Sequence, residues 1–496
     1  MFKKILIANR GEIAVRIIRA CKDMGITSAA VYSEADRHSL HTILADEVYE
    51  IGEAQASSSY LNKEKIITLA KKIKVQAIHP GYGFFSENSD FIKAVENEGI
   101  VFIGPSSKSV AMMGKKTDAR TLMKKNKVPI VPGTTEPVVS IEEGIRFCKD
   151  IGFPVLLKAS AGGGGKGMRK VTSTKEFDSA FEATKREALK SFGNDDVYIE
   201  KYIESPRHIE VQIIADKHGN YVHLYERECS IQRRHQKIIE EAPSVFVDEK
   251  TRKKITTAAI DAAKACGYFN AGTIEFLMDK DKKFYFLEMN TRLQVEHPVT
   301  ELITGIDLVK EQIQIAAGEK LSFAQKDVTA KGHAIESRIY AEDSQNNFLP
   351  SIGEIIEYIK PAGPGVRIDD GFLKGSKISL YYDPLVSKLI CYGSNRNSAI
   401  ARMLRALSEY HIAGPVTNIP FLTEIFKHKD FVKGNFDINF VEKNFLKKSY
   451  NKNEESSEKI SAIFSAVFQK HNIISEKKSS GENNNASNKW LDLLNE

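Results

Sequence analysis

Short apolar runs alternate with amphipathic stretches over the first quarter of the chain. KKILIA (3–8) reads as a buried strand. GEIAVRIIRACKDMG (11–25) reads as a helix with Ile13, Ile17, Ile18, Cys21 and Met24 on one face, and Gly25 suits its C-terminal stop. TSAAVYS (27–33), VQAIHPG (75–81) and IVFIGPS (100–106) repeat the short apolar strand ended by a turn. This alternation predicts an open parallel α/β domain over residues 1–113. Asn9-Arg10-Gly11-Glu12 occupies the place of a dinucleotide-binding loop, but a single glycine does not make that fingerprint, so no nicotinamide site is expected. HPGYGFFSEN (79–88) is a second glycine-bearing turn after a strand; turn chemistry alone accounts for it, and the edge of a substrate site is the sharper reading.

Residues 114–325 form a second region, rich in long strand-like stretches such as HIEVQIIAD (208–216). It contains FPVLLKASAGGGGKGMRKV (153–171). The P-loop pattern fails there, because Ser160 stands where its first glycine belongs and Gly167 follows Lys166 in place of Ser or Thr. Gly162, Gly164 and Gly167 satisfy G-x-G-x-x-G, but MRKVTS (168–173) mixes β-branched and basic residues and predicts a strand where that fingerprint needs a helix. The glycine run is therefore a loop between two strands, either a phosphate cradle of backbone N–H groups or a flexible hairpin. A third unit, residues 333–446, opens with GHAIESRIYAED and ends near DINFVEKNF. Beyond it the composition turns polar and simple, as in NKNEESSEKI and EKKSSGENNNASNK, which marks linkers. Within the tail, 450–496, Ile460, Ile463, Phe464, Val467 and Phe468 recur at helical spacing, and Trp490-Leu491-Asp492-Leu493-Leu494 follows a linker. A docking helix for a partner protein is one reading; packing on the chain's own C-terminal domain is the other.

KFYFLEMNTRLQVEHP (283–298) carries the strongest chemical signal. Glu288, Asn290, Arg292, Gln294 and Glu296 alternate with Met289, Thr291, Leu293 and Val295, so in an extended backbone all five polar groups share one face. The preceding GTIEFLMDKDKKFYFLE predicts a hairpin around Lys280-Asp281-Lys282, with Glu275 opposite Glu288. Two carboxylates and an amide oxygen there are hard ligands suited to Mg²⁺ shared with phosphates. A solvated sheet face alternates in the same way and stands as the alternative. CSIQRRHQKIIEEAP (229–243) predicts a short loop bearing Gln232, Arg233, Arg234, His235 and Lys237, either solvated cations or anion ligands.

At 496 residues the chain exceeds one core, so about three domains are expected. The formal net charge of +6 is small for this length and gives no sign of nucleic acid. The opening MFKKILIANRGE is too weakly apolar for a secretory leader, and no run approaches the ~18 apolar residues of a membrane span. Five scattered cysteines without zinc spacing suggest reduced thiols in a cytoplasm.

Taken in order, ANRGEIAVRIIRA, HPGYGFFSEN, KASAGGGGKGM, EKYIESPRHIEVQ, ERECSIQRRHQK, EMNTRLQVEHPVTE and GHAIESRIYAED resemble biotin carboxylase, of the ATP-grasp superfamily, over about 445 residues. The resemblance implies an α/β and α+β multidomain fold. Its parts are a Rossmann-like N-terminal domain, an ATP-grasp core whose glycine-rich flap closes over ATP, and a C-terminal α+β domain that completes the biotin site. It implies ATP-dependent carboxylation of biotin with bicarbonate through carboxyphosphate, with Mg²⁺ or Mn²⁺. Lys116, Lys158, Gly164 and Gly165 would meet phosphates. Glu200, Lys201, Tyr202 and Ile203 would line the adenine pocket, near His208, Gln232 and His235. Glu275, Glu288 and Asn290 would hold the metal, and Lys237, Arg292, Gln294 and Val295 the bicarbonate. Glu296 would be the general base. Arg338 would stabilise the biotin enolate, with Tyr82 beside the biotin and Asp383 as the arginine's charge partner.

Two departures stand out: Ala161 where many members have the first flap glycine, and Asp23 for a glutamate at the family's dimer surface. The resemblance implies a homodimer, and because no Met-Lys-Met biotinylation motif is present it implies a subunit that works with a separate biotin carrier protein and a carboxyltransferase subunit. The acceptor of the carboxyl group, an acetyl or propionyl thioester or pyruvate, is not legible. Two other readings remain: another ATP-grasp ligase that forms an acyl-phosphate, and an inactive nucleotide-binding scaffold.

Overall fold

The computed structural model describes residues 1–159 and 168–446. The chain divides into two units, Met1–Val441 and Glu442–Glu496, and the second is described only over Glu442–Leu446. The expected docking helix of the tail and the flap glycines Gly164 and Gly165 thus lie outside the described residues. The architecture that follows is that of the first unit.

Five parallel strands open the chain: β1 (Lys4–Ile7), β2 (Thr27–Ser33), β3 (Glu47–Gly52), β4 (Ala77–His79) and β5 (Val101–Phe102), in the order β3-β2-β1-β4-β5. β1 pairs with both β2 and β4, so the strand order reverses beside it, the place where open α/β sheets leave a crevice for ligands. Helix α1 (Gly11–Asp23) leaves this end of β1 with Ile13, Ile17, Ile18 and Cys21 buried on the sheet, as the apolar periodicity requires.

Three antiparallel strands, β6 (Val155–Ala159), β7 (Met168–Val171) and β8 (Val197–Lys201), form a small separate sheet with β6 in the middle. β6 and β7 flank the glycine run and pair with each other, and the next helix starts only at Thr174. MRKV is a strand, which removes the dinucleotide reading of the loop.

The largest sheet has eight antiparallel strands. β9 (Arg207–Ala215), β10 (Tyr221–Arg233), β11 (Gln236–Ala242), β12 (Asn270–Met278), β13 (Phe284–Asn290) and β14 (His333–Tyr340) are joined by Leu385–Gly393 and Val366–Asp370. β11 pairs with β14 through Glu240–Glu336 and Ile239–Ser337, so the sheet runs without a break from the 114–325 region into the 333–446 region. The alternation in HIEVQIIAD is buried on both faces. Ile209, Val211 and Ile213 enter an apolar core, while Glu210 and Gln212, both fully buried, face the opposite way. A solvated polar face is thereby excluded for this part of the sheet.

Two expectations are corrected here. Most of residues 229–243 is strand: β10 and β11 form a hairpin whose two turn residues, Arg234 (φ 51°) and His235 (φ 66°), adopt the left-handed backbone of a tight two-residue turn. The apolar pairing of Ile231 with Ile239 carries the ladder through what the charges suggested was a loop. The extended run from Glu288 to Glu296 also stops early, at Asn290, and a helix begins at His297. The hairpin around Lys280–Lys282 forms as expected, with Glu275 directly opposite Glu288.

Candidate active site

Lys237, the second residue of β11, points its ammonium into the polar face of the large sheet. Its Nζ lies 2.6 Å from Glu210 Oε2, 2.8 Å from Glu275 Oε1 and 2.7 Å from Glu296 Oε1, with Gln294 Oε1 at 3.4 Å. β9, β12 and the loop after β13 each deliver one carboxylate. Burial alone would lower the Lys237 pKa, but the surrounding acids outweigh it and hold it well above the usual lysine range. Burial would likewise raise Glu275 and Glu296; Lys237 with His208 holds the first well below the carboxylate range, and Lys237 with Arg338 and Arg227 does so for the second. Both acids are ionised at neutral pH.

Around this centre the remaining donors are matched. Arg227, fully buried, pairs with Glu210 and also donates to Gln212 (2.7 Å), Thr300 (3.0 Å) and Thr273 (3.1 Å). Gln232 Nε2 donates to His208 Nδ1 at 3.0 Å, which leaves the other ring nitrogen facing Glu275 Oε2 at 3.0 Å. Arg338, on β14, holds Glu240 at 2.6 Å and Glu296 at 3.0 Å. Asp383, expected as its charge partner, instead accepts from the Leu385 amide, because the strand pairing of β14 with β11 places Glu240 nearer the guanidinium. Arg292 donates to Glu87 Oε2 at 2.8 Å and to Asn290 Oδ1 at 2.9 Å.

Arg338 and Arg292 also border a cavity of about 480 Å³, which Tyr82, Val295, Tyr381 and Asp383 help to line together with Arg10 and Glu12 of the N-terminal part. The hydroxyl of Tyr82 is buried there without a hydrogen-bond partner among the described residues.

Of the expected nucleotide residues, Lys158 and the run from Glu200 to Ile203 lie on the small sheet and its exit, whereas His208 and Gln232 lie on β9 and β10 of the large sheet. Lys158 pairs with Glu200, which Arg120 also reaches at 2.7 Å. The ammonium of Lys201 is committed to the carbonyls of Gly152 (2.9 Å) and Phe153 (3.0 Å), and Lys170 lies 4.2 Å over the Tyr202 ring. Ile203 follows, half-buried, at the strand's exit, and His235 is exposed at the hairpin tip. Lys116 begins a helix, and its side chain is outside the described residues.

Glu275, Glu288 and Asn290, on β12 and β13, are side chains that could hold a divalent cation once Lys237 and Arg292 give up Glu275 and the Asn290 amide oxygen. Glu275 and Glu288 face each other across the ladder, and Asn290 Nδ2 donates to Glu275 Oε1 at 2.8 Å, which brings its amide to the same place. These are oxygen donors on adjacent strands, as Mg²⁺ or Mn²⁺ requires. His208, Glu210 and Glu275 also bring ligand atoms within 4.8 Å of one another, but Lys237 already bridges the two acids.

Sequence reasoning missed Glu210, Arg227, Glu240 and Glu87. A signal for the first existed: an acid alternating inside a strand otherwise rich in Ile and Val. Glu87 and Glu240 carried none, because their partners are 205 and 98 residues away.

Family models described as "Biotin carboxylase, N-terminal domain", "Carbamoyl-phosphate synthase L chain, ATP binding domain" and "Biotin carboxylase C-terminal domain" match residues 1–110, 115–324 and 336–443. Biotin carboxylase 2 of Bacillus subtilis is 54% identical over 441 residues, covering 89% of this chain and 99% of that protein. A pyruvate carboxylase subunit of Methanothermobacter thermautotrophicus is 52% identical over 442 residues, covering 89% and 90%. Among solved structures, the biotin carboxylase domain dimer of Hydrogenobacter thermophilus 2-oxoglutarate carboxylase, in complex with MgADP, ADP and bicarbonate, superposes with a TM-score of 0.84 at 48% identity, covering 89% and 98%. No described helix is long and apolar enough to cross a membrane. About half of the aligned residues are shared with relatives over nearly their whole length, and the chain belongs to the biotin carboxylase family of ATP-dependent ligases.

Proposed function

We propose that this chain carboxylates biotin borne on a separate carrier protein, using MgATP and bicarbonate, as the first half-reaction of a larger carboxylase. One observation carries the reading: Lys237, Glu296 and Arg338 lie in a continuous chain of ion pairs, with Arg338 at the wall of a cavity large enough for a bicyclic ureido ring.

Bicarbonate is a poor electrophile, and ATP activates it as carboxyphosphate. Glu275, Glu288 and Asn290 would hold Mg²⁺, which when bound neutralises charge on the transferring phosphoryl group. Lys158 and Lys116 would meet the phosphates, and Glu200 to Ile203 the adenine. Lys237, Arg292, Gln294 and the Val295 backbone would bind bicarbonate. Glu296 is ionised and therefore ready to accept the bicarbonate proton. An arriving anion competes for Lys237, and as the ammonium turns to it, Glu296 loses a stabilising charge and becomes a stronger base. Carboxyphosphate then yields CO₂ and phosphate, and the phosphate can take the proton from biotin N1. Arg338, permanently charged and half-buried at the cavity wall, would stabilise the resulting enolate, with Tyr82 beside the ring.

Carrier and carboxyltransferase partners and a homodimeric state fit the family; a cytoplasmic location suits five buried free thiols. The deciding experiment is phosphate release from MgATP with and without bicarbonate and free biotin. Release that needs bicarbonate and is coupled to carboxybiotin supports the reading; release indifferent to both refutes it.

A further inference from the structure

Lys388 is fully buried, although the mechanism above gives it no role. It lies on the strand Leu385–Gly393, directly opposite Arg338 in the ladder with β14 and opposite Asp369 on its other side. Two like charges facing each other across a ladder repel, so the pair needs a compensating reason. Each cation grips one of two consecutive residues of the same loop. Arg338 holds the Glu296 carboxylate at 3.0 Å, and Lys388 Nζ donates to the carbonyl of Val295 at 2.9 Å.

The ammonium is anchored from two other directions. Glu12 Oε2, from the first turn of α1, lies 3.1 Å away, and Asp369 Oδ2 lies 3.8 Å away. The Glu12 pair is close but outside hydrogen-bonding geometry, so both of its buried oxygens lack a hydrogen-bond partner among the described residues. Contact between the two parts is tight: a Cβ at Gly371 would fall 2.6 Å from the Glu12 nitrogen. A second staple fixes the loop's other end, where His297 Nδ1 meets the Gln294 carbonyl at 2.8 Å.

We propose that Lys388 is a positioning residue for the activation of bicarbonate: anchored by Glu12 and Asp369, it fixes the peptide between Val295 and Glu296 and so aims the Glu296 carboxylate. Three parts of the chain then converge on one peptide. α1 supplies the anchor, the C-terminal strands supply the lysine, and the loop after β13 supplies the base. The inference rests on the proposed role of Glu296, and it adds a residue that touches no substrate.

The test is a double-mutant cycle on bicarbonate-dependent ATP cleavage, with nucleotide affinity measured separately by calorimetry. Lys388→Met should lower kcat about 10- to 100-fold, the scale of a small misplacement of a reacting group, while the affinity for MgATP stays within about twofold. In a Glu296→Gln background, Lys388→Met should cost less than about twofold more, because the carboxylate it aims is already gone. Full additivity, or a fall in MgATP affinity parallel to kcat, would assign Lys388 a general structural role and overturn the inference. If Lys388→Met does not fold, Glu12→Gln carries the same cycle: a several-fold loss of kcat that vanishes in the Glu296→Gln background supports it, and an additive or absent loss overturns it. Failure of the underlying reading looks different, since the wild-type chain would then show no bicarbonate-dependent cleavage at all.

Discussion

Glu240 and Glu241 are neighbours on β11, both buried, yet their charges live in different worlds. Glu241 faces Arg396, at 2.7 Å, and His333, also at 2.7 Å. Burial would raise its pKa, but these two partners outweigh it and hold it below the usual range. Glu240 faces the opposite side, where Arg338 must serve both it and Glu296. Burial, helped by the neighbouring Glu296 charge, pushes Glu240 up to about 7 despite the guanidinium. One strand thus carries a closed ion pair on one face and a contested one on the other. A cation shared among several acids can turn to an incoming anion, whereas a cation closed on its own partners cannot. Lys237, set among three carboxylates, is the extreme of the contested kind.

Four substitutions probe that contrast. Lys237→Met has the largest expected effect, because it leaves Glu210, Glu275 and Glu296 facing one another without their common cation. Removing one partner of a buried pair costs about 3–5 kcal/mol, and this site should lie at the upper end. The pH sign follows from the depressed pKa values of Glu275 and Glu296. Their contribution is present above the unfolded carboxylate value of about 4.3 and is lost as pH falls through the folded values. The stability gap between wild type and Lys237→Met, read by thermal unfolding, should stay wide from pH 7.5 down to about 4.3 and should narrow only as the pH falls further, toward the folded values. A gap that does not change with pH would mean that the ammonium is not what keeps these acids charged.

Glu241→Gln comes next, at about 3 kcal/mol of stability, with ATP turnover per folded molecule retained. Loss of turnover without loss of stability would abolish the distinction between the two faces. Glu296→Gln should do the reverse: bicarbonate-dependent turnover falls about 10²-fold or more while nucleotide affinity holds. A near-wild-type rate would remove Glu296 from the role of base. Smallest is Glu288→Gln, expected to raise the Mg²⁺ concentration needed for half-maximal activity about tenfold, the lower end for weakening a metal site. An unchanged metal titration would count against the β12–β13 hairpin as the metal's seat.

Much of this was readable from the chain. The strand–helix alternation through residue 106 has its counterpart in the five-stranded parallel sheet, and the period-2 pattern around the Lys280–Lys282 turn gave a hairpin with Glu275 opposite Glu288. Errors arose where polar residues belonged to a buried face. Arg233, Arg234 and His235 were read as a short loop of solvated cations or anion ligands, yet Arg233 is buried on a strand against Glu342 at 2.7 Å, while Arg234 and His235 of the turn are exposed. The run from Arg292 to Glu296 was expected to converge on the site by staying extended. It converges by leaving the strand, with Gln294 reaching Glu275 at 2.9 Å and Glu296 reaching Lys237.

Local sequence settled which segments are strands or helices and which residues could bear the chemistry, because side-chain periodicity and turn residues act over a few positions. It could not settle which charges meet. Glu12 and Lys388 are 376 positions apart, Arg338 and Glu296 are 42 apart, and no periodicity in the chain links either pair. Those meetings depend on the antiparallel order of the eight-stranded sheet, which brings β11, β14 and Leu385–Gly393 side by side. The tertiary structure alone decided whether a buried acid was closed on one partner or left in contention, and that difference is electrostatic: it depends on how many opposite charges share the same few ångströms of water-poor interior.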